Sequence, residues 1–326
     1  ARARNARAPR AAGPPSEKAV HETRKAIKRL RALLRLLRSE LGERAYERET
    51  ATLRQVAHEL SGARDAAVMV ATLDALAERH PCELARRHGV IALRRRLHAH
   101  SDRLSRATLA DASARANVLG ELHALRWRVA AWTLPKSGGI ELVDADLQHL
   151  YRQGRERCER VARDKGERTL EMHKWRKRVK DLRYAAEMLE RRGEPRSKRE
   201  SRASTRAHKL AARADELGEL LGEDHDLAVL AEHLLAGAHA DKHRRERERE
   251  RDASDRDRDA RERTGVMSAD GAAGEQREQL WTTPRGTRRA LSKAIARRRR
   301  KLRKRALREG ARLYREKPRR FMRRMR

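Results

Sequence analysis

The chain has 326 residues, 40% of them charged and only 3% aromatic, and its 82 Lys and Arg against 48 Asp and Glu leave a net charge of +34. A surplus of that size repels itself in a compact state and points to a polyanionic partner: nucleic acid, an anionic membrane surface or polyphosphate. No apolar run approaches the roughly 18 residues needed to span a bilayer, and the two cysteines, Cys82 and Cys158, form neither a disulfide framework nor a metal-binding spacing.

Residues 1–15 are rich in Arg, Ala, Pro and Gly and are expected to be a disordered tail. They contain no apolar core of a secretory signal. The chain does not begin with Met, so it is expected to be a fragment or a processed product, and a reducing, cytoplasmic location is expected from its cysteine usage. Ser16 is placed to cap the first helix, which is expected to stop at Gly42.

Within that helix, VHETRKAIKRLRALLRLLR (Val20 to Arg38) splits into two faces at about 100° per residue. Arg24, Lys25, Lys28, Arg31 and Arg35 lie within roughly 80° of His21. Ile27, Leu30, Leu33, Leu34 and Leu37 fill the far side as an ordinary buried stripe. No acidic residue at i,i+4 spacing neutralises the basic row, so an anion lying along it would relieve the repulsion.

A second helical stretch is expected from about Arg44, with a break at Ser61-Gly62. Pro81 opens the next segment, which runs to about Leu109, and a shorter helix follows over Asn117 to Trp132. After a Ser-Gly-Gly linker, Asp144 to Lys165 reads as a helix containing YRQGR, Tyr151 to Arg155.

The segment EMHKWRKRVKDLRYAAEMLE, Glu171 to Glu190, then repeats the opening helix. Placing His173 on His21 superposes Arg176 on Arg24, Lys177 on Lys25, Lys180 on Lys28 and Arg183 on Arg31. A further helix from Ser204 to about Ala236 repeats the earlier SGARDAAVM as LGEDHDLAVL, with Asp226 on Asp65. Two consecutive elements repeated in order indicate an internal duplication. The copies differ: Asp181 stands in the place of Arg29 and Glu187 in the place of Arg35, so the second basic row is expected to be the weaker one.

Residues 241–264 hold ten Lys and Arg against nine Asp and Glu with no apolar stripe; they are either a solvated extended helix or, the favoured expectation, part of a mobile insertion over about 241–275. From Arg285 to Arg326 there are 21 Lys and Arg and two acidic residues. This segment is expected to dock as a last helix up to Pro318, followed by a flexible basic tail. No alternating β pattern appears anywhere. The expected fold is all-α, with two halves, 16–166 and 167–326, each the size of a four-helix bundle.

The sequence resembles the CHAD domain family (conserved histidine α-helical domain). The resemblance rests on VHETRKAIKRLRALLRLL, MHKWRKRVKDLRYAAEML, the pair SGARDAAVM and LGEDHDLAVL, YRQGR, and the C-terminal RLYREKPRRFMRRM. It implies two pseudo-symmetric antiparallel four-helix bundles, inorganic polyphosphate bound in a basic cleft between them, and recruitment to polyphosphate granules. A stand-alone member is expected, since the chain has no room for an added catalytic barrel.

The expected binding residues are His21, Arg24, Lys25, Lys28, Arg31 and Arg35 from the first copy and His173, Arg176, Lys177, Lys180 and Arg183 from the second. Arg152 and Arg155 of YRQGR and Lys293 and Arg297 of the last helix complete the set. Arg offers a forked pair of donors to phosphate oxygens, and Lys a compact point charge. His21 and His173 are weighed between phosphate contact and a capping or interhelical hydrogen bond, Asp65 and Asp226 are expected to be structural, orienting a basic neighbour or capping a kinked helix, and Trp175 is expected in the core.

The competing readings are weaker. Nucleic-acid binding has charge in its favour, but few aromatics align with the basic rows for stacking. Metal ligation and catalysis lack a ligand spacing, a glycine-rich phosphate loop or a nucleophile–base pair. The expectation is a binding module without a cofactor.

Overall fold

The computed structural model describes residues 17–60, 62–134, 140–163, 169–190, 198–258 and 280–326. Its described residues are all-helical, with no strand. The order is α1 (Glu17–Leu36), α2 (Arg38–Leu41), α3 (Glu43–Glu59), α4 (Gly62–Arg79), α5 (His88–Ala110), α6 (Ala112–Ala130), α7 (Asp144–Arg163), α8 (Thr169–Glu190), α9 (Lys198–Arg258), α10 (Arg285–Leu313) and α11 (Pro318–Met325).

Local chemistry sets several of these limits. Gly42 has φ 73°, a conformation that costs glycine little, and it turns the chain between α2 and α3. Gly62 starts α4 anew, so the expected kink separates two helices. Asp111 caps α6, its side chain accepting from the Ala114 N–H at 2.8 Å. The expected cap at Ser16 lies outside the described residues, as do the 1–15 tail and residues 259–279.

Two expectations are corrected. The charged stretch from 241 to 258 continues α9 without interruption, as the solvated extended helix that was the alternative reading and not as the favoured mobile insertion. Long Arg- and Glu-rich runs carry good helix propensity and i,i+4 pairs, such as Lys242–Glu246 at 3.6 Å, which sustain a helix without an apolar stripe. The chain after Pro318 is also helical. α11 buries Phe321, Met322 and Met325, spaced so that all three fall on one face.

The apolar core does not divide evenly between the sequence halves. One large cluster joins α4 and α5 to α7, α8, α9, α10 and α11, and takes in Leu36 and Leu37 just after the end of the first basic row. A smaller one, Ile27, Leu34, Leu53, Val56, Val118 and Leu125, ties α1 to α3 and α6. α8 lies at the centre of the large cluster, packed on α7, α9 and α1. Its Trp175 is fully buried, and a Cβ at Gly310 would sit 2.5 Å from the Trp175 ring, so the close approach of α10 requires glycine there.

Candidate functional site

α1 and α8 are held together by two ion pairs. Arg35 binds Asp181 at 2.9 Å and Arg29 binds Glu187 at 3.4 Å. In the superposition of the two copies Arg29 matches Asp181 and Arg35 matches Glu187, so the partners are exchanged reciprocally. That exchange is what a two-fold relation between contacting elements produces. A second pairing repeats in the same way: Arg24 lies 4.0 Å from Asp65 and its counterpart Arg176 lies 4.0 Å from Asp226. The two carboxylates thus stand beside the basic neighbours they were expected to orient. The acidic residues that were expected to weaken the second row instead fasten it to the first. Glu187 is shared between Arg29 and Arg183.

Beside this seam lies a cavity of about 1410 Å³. Arg24, Lys28, Arg31 and Arg35 reach it from α1, and His173, Arg176, Lys177 and Lys180 from α8. α4 adds Asp65, α5 adds His100 and Arg103, and α9 adds His225, Asp226 and His233. Nine Lys and Arg line it against three carboxylates, Asp65, Asp181 and Asp226, so its walls keep a positive excess. Buried and without a hydrogen-bond partner are the Nε atoms of Arg31 and Arg176, donors that a bound anion could satisfy.

These cations perturb one another. Burial lowers the Lys180 ammonium to about 8, with Arg176 and Lys28 adding repulsion. Burial likewise lowers Arg31, assisted by Arg35 and Arg54. His173 and His225 face each other, with Nδ1 atoms 3.2 Å apart and ring centroids at 4.4 Å. Both are lowered by burial and by cationic neighbours, His225 to about 4. The interhelical hydrogen bond considered for His173 is therefore present, and its partner is the histidine of the Asp-His-Asp stretch.

Seven of the expected site residues lie away from the cavity wall. His21 is exposed and Lys25 half-buried, both outside the lining. Arg183 is occupied by Glu187 and Asp215. Arg155 pairs with Glu159 and donates to the Glu316 carbonyl at 3.0 Å, and Arg152 bonds His149. The YRQGR stretch is instead a socket for the C-terminal motif. The Tyr151 ring stacks on Phe321 at 3.9 Å, its hydroxyl donates to the Glu316 carbonyl, and Gly154 leaves room for the Tyr314 hydroxyl. Lys293 is exposed on α10 outside the lining, and Arg297 pairs with Glu83 at 3.1 Å.

Arg103, His100, Arg178, His225 and His233 join the lining without having been expected there. Only His225 carried a signal, as the centre of Asp-His-Asp in the duplicated element. The aromatic lining residues are Tyr184 and Trp281. Trp281 is buried, and one face of its ring is covered by His233 at 4.4 Å with an interplanar angle of 6°, so it offers no stacking platform.

The CHAD domain model matches residues 2–235, most of the chain and the whole of both basic rows. The chain belongs to the CHAD domain family. CHAD domains are associated with polyphosphate binding. The match ends within α9, so α10 and α11, whose RLYREKPRRFMRRM contributed to the resemblance, lie beyond it. No curated protein and no solved structure matches the chain. Among the described residues no helix is long and apolar enough to cross a membrane, and no group of three or more His, Cys, Asp and Glu could hold a metal ion.

Proposed function

We propose that this CHAD protein binds inorganic polyphosphate along the cavity between its two copies of the basic helix, as a binding module and not an enzyme. The observation that carries this reading is the convergence of cations from α1 and α8 on one cavity, with the buried Nε atoms of Arg31 and Arg176 still lacking acceptors. The reciprocal Arg35–Asp181 and Arg29–Glu187 pairs support a pseudo-twofold arrangement of duplicated bundles, in which a linear anion of uniform charge meets similar walls on both sides. A narrow row of cations suits a chain bearing about one charge per phosphoryl unit, and sequestration on polyphosphate granules follows from such binding.

The test is a competition between long-chain polyphosphate and single-stranded DNA of equal charge at two salt concentrations. Polyphosphate is expected to win at both, with the affinity for each falling steeply with salt through counterion release. Equal competition by DNA overturns the polyphosphate reading in favour of general backbone binding.

The histidine pair and Lys180 add a pH dependence. In the unliganded fold His225 titrates near 4 and Lys180 near 8, below the ordinary values of 6.5 and 10.5. Both shifts lower the stability of the folded protein wherever the unfolded chain binds more protons. The His225 contribution is intact above pH 6.5 and is lost as pH falls through 4, and the Lys180 contribution is intact above 10.5 and is lost as pH falls through 8. A phosphate chain favours both charged forms, so binding takes up protons and tightens as pH falls from 9 to 5. Calorimetry in buffers of different ionisation enthalpy counts those protons, and a flat affinity with no uptake rules the linkage out.

A further inference from the structure

α10 carries the largest net positive charge of the helices described, and most of its inward cations are already paired. Arg298 binds Glu223 at 2.6 Å, while Arg299 and Arg303 close on the buried Asp224 at 3.1 and 3.3 Å. Both acidic partners are on α9. Asp224 and Asp226 lie about 200° apart around that helix, so α10 sits across α9 from the cavity that Asp226 lines.

The outer face of α10 is different. Arg289, Lys293, Arg300, Lys304 and Arg308 fall within roughly 100° of one another, opposite the stripe of Leu291, Ile295, Leu302 and Leu313 that is buried. All five are exposed, and none has an ion pair or side-chain hydrogen bond among the described residues. Arg297, in the same row, is the one held by an acid, Glu83. The row spans about 28 Å of helix at 1.5 Å per residue.

We infer that this outer row of α10 is a second polyphosphate-binding surface, facing away from the cavity, and that the two together let one long chain bridge separate copies of the protein. The inference rests on the polyphosphate reading of the cavity. The two surfaces lie on opposite sides of α9, so the phosphates seated in the cavity are not those that meet the outer row of α10. The exposed row is therefore open to a neighbouring stretch of polyphosphate, and a chain with many phosphates gathers many copies. Solvent-exposed cations bind such a chain weakly one at a time, and repetition along it supplies the avidity.

The experiment uses the full chain and two ligands, tripolyphosphate and long-chain polyphosphate, read by calorimetry and light scattering. The variant Lys293→Glu/Arg300→Glu/Lys304→Glu is compared with a control of equal charge change, Arg86→Glu/Arg95→Glu/Arg126→Glu, at exposed positions off α10. Wild type and control are expected to scatter strongly with the long chain. The α10 variant is expected to bind tripolyphosphate within twofold of wild type while its scattering with the long chain drops by about tenfold, because bridging needs both surfaces on each copy.

Equal scattering by the α10 variant, or an equal drop in the control, overturns the bridging inference and leaves the cavity reading standing. Failure of wild type to bind either phosphate overturns both. If duplex DNA scatters with wild type and long-chain polyphosphate does not, the outer row is a nucleic-acid surface and the inference falls.

Discussion

Reversing Lys28, Lys177 and Arg103 to Glu together is expected to lower polyphosphate affinity by about 100-fold or more at low salt, since six units of charge change at one anion path. These three are chosen because each lines the cavity and is exposed, one from α1, one from α8 and one from α5. Exposure keeps the folding cost of reversal small, because surface charges contribute little to stability. The helical signal is therefore expected to match wild type in circular dichroism, and the slope of log affinity against log salt to fall by about three. Arg24 and Arg31 are poorer choices. Arg24 donates to the Leu60 carbonyl and Arg31 is partly buried, so their loss confounds binding with packing. If the triple variant binds like wild type, the cavity is not the site, and the outer face of α10 becomes the leading surface.

The repeated pattern was legible because a helix buries one stripe and exposes another, and the two segments keep both stripes in register. That alone placed Arg24, Lys28, Arg31 and Arg35 opposite His173, Arg176, Lys177 and Lys180. Pairing across space was not legible. Glu187 and Asp181 read as interruptions of a basic row until their partners on α1 were known, because a helical wheel gives the direction of a side chain but not what it meets. The same limit misplaced Arg155 and Arg152. YRQGR is basic and lies near the second copy, yet its tyrosine, glycine and Arg155 serve the docking of Tyr314 and Phe321 from the other end of the sequence. Composition misled in the opposite direction at residues 241–258, where the absence of an apolar face says that a helix is not packed, not that it is unformed. Arg103 had no signal at all. It lies in an ordinary amphipathic segment with no repeat partner, and only the packing of α5 beside α4 brings it to the cavity.

Two aspartates in LGEDHDLAVL are expected to respond in opposite ways. Asp224 is 1% exposed and receives Arg299 and Arg303 from α10. Replacing it with Ala leaves two guanidinium groups facing a buried gap, with Arg299 still donating to the Thr169 hydroxyl. Breaking a buried pair by removing one partner costs about 3–5 kcal/mol, so urea unfolding is expected to show a loss of that order. Its polyphosphate affinity, measured well below the unfolding transition, should change little, because Asp224 points into the α9–α10 interface and does not line the cavity. Asp226 is expected to do the reverse. It lines the cavity 4.0 Å from Arg176, so Asp226→Ala removes one of three negative charges from the ligand's path. Affinity should rise several-fold, on the order of 1 kcal/mol for a partly exposed charge, with a smaller effect on stability. A fall in affinity for Asp226→Ala would mean that the carboxylate holds Arg176 in its binding orientation more than it repels the ligand. Because Asp65 stands in the same relation to Arg24 in the first copy, the same substitution there distinguishes the two effects: Asp65 is far more exposed than Asp226, so it orients its arginine less and should show the gain even if Asp226 does not.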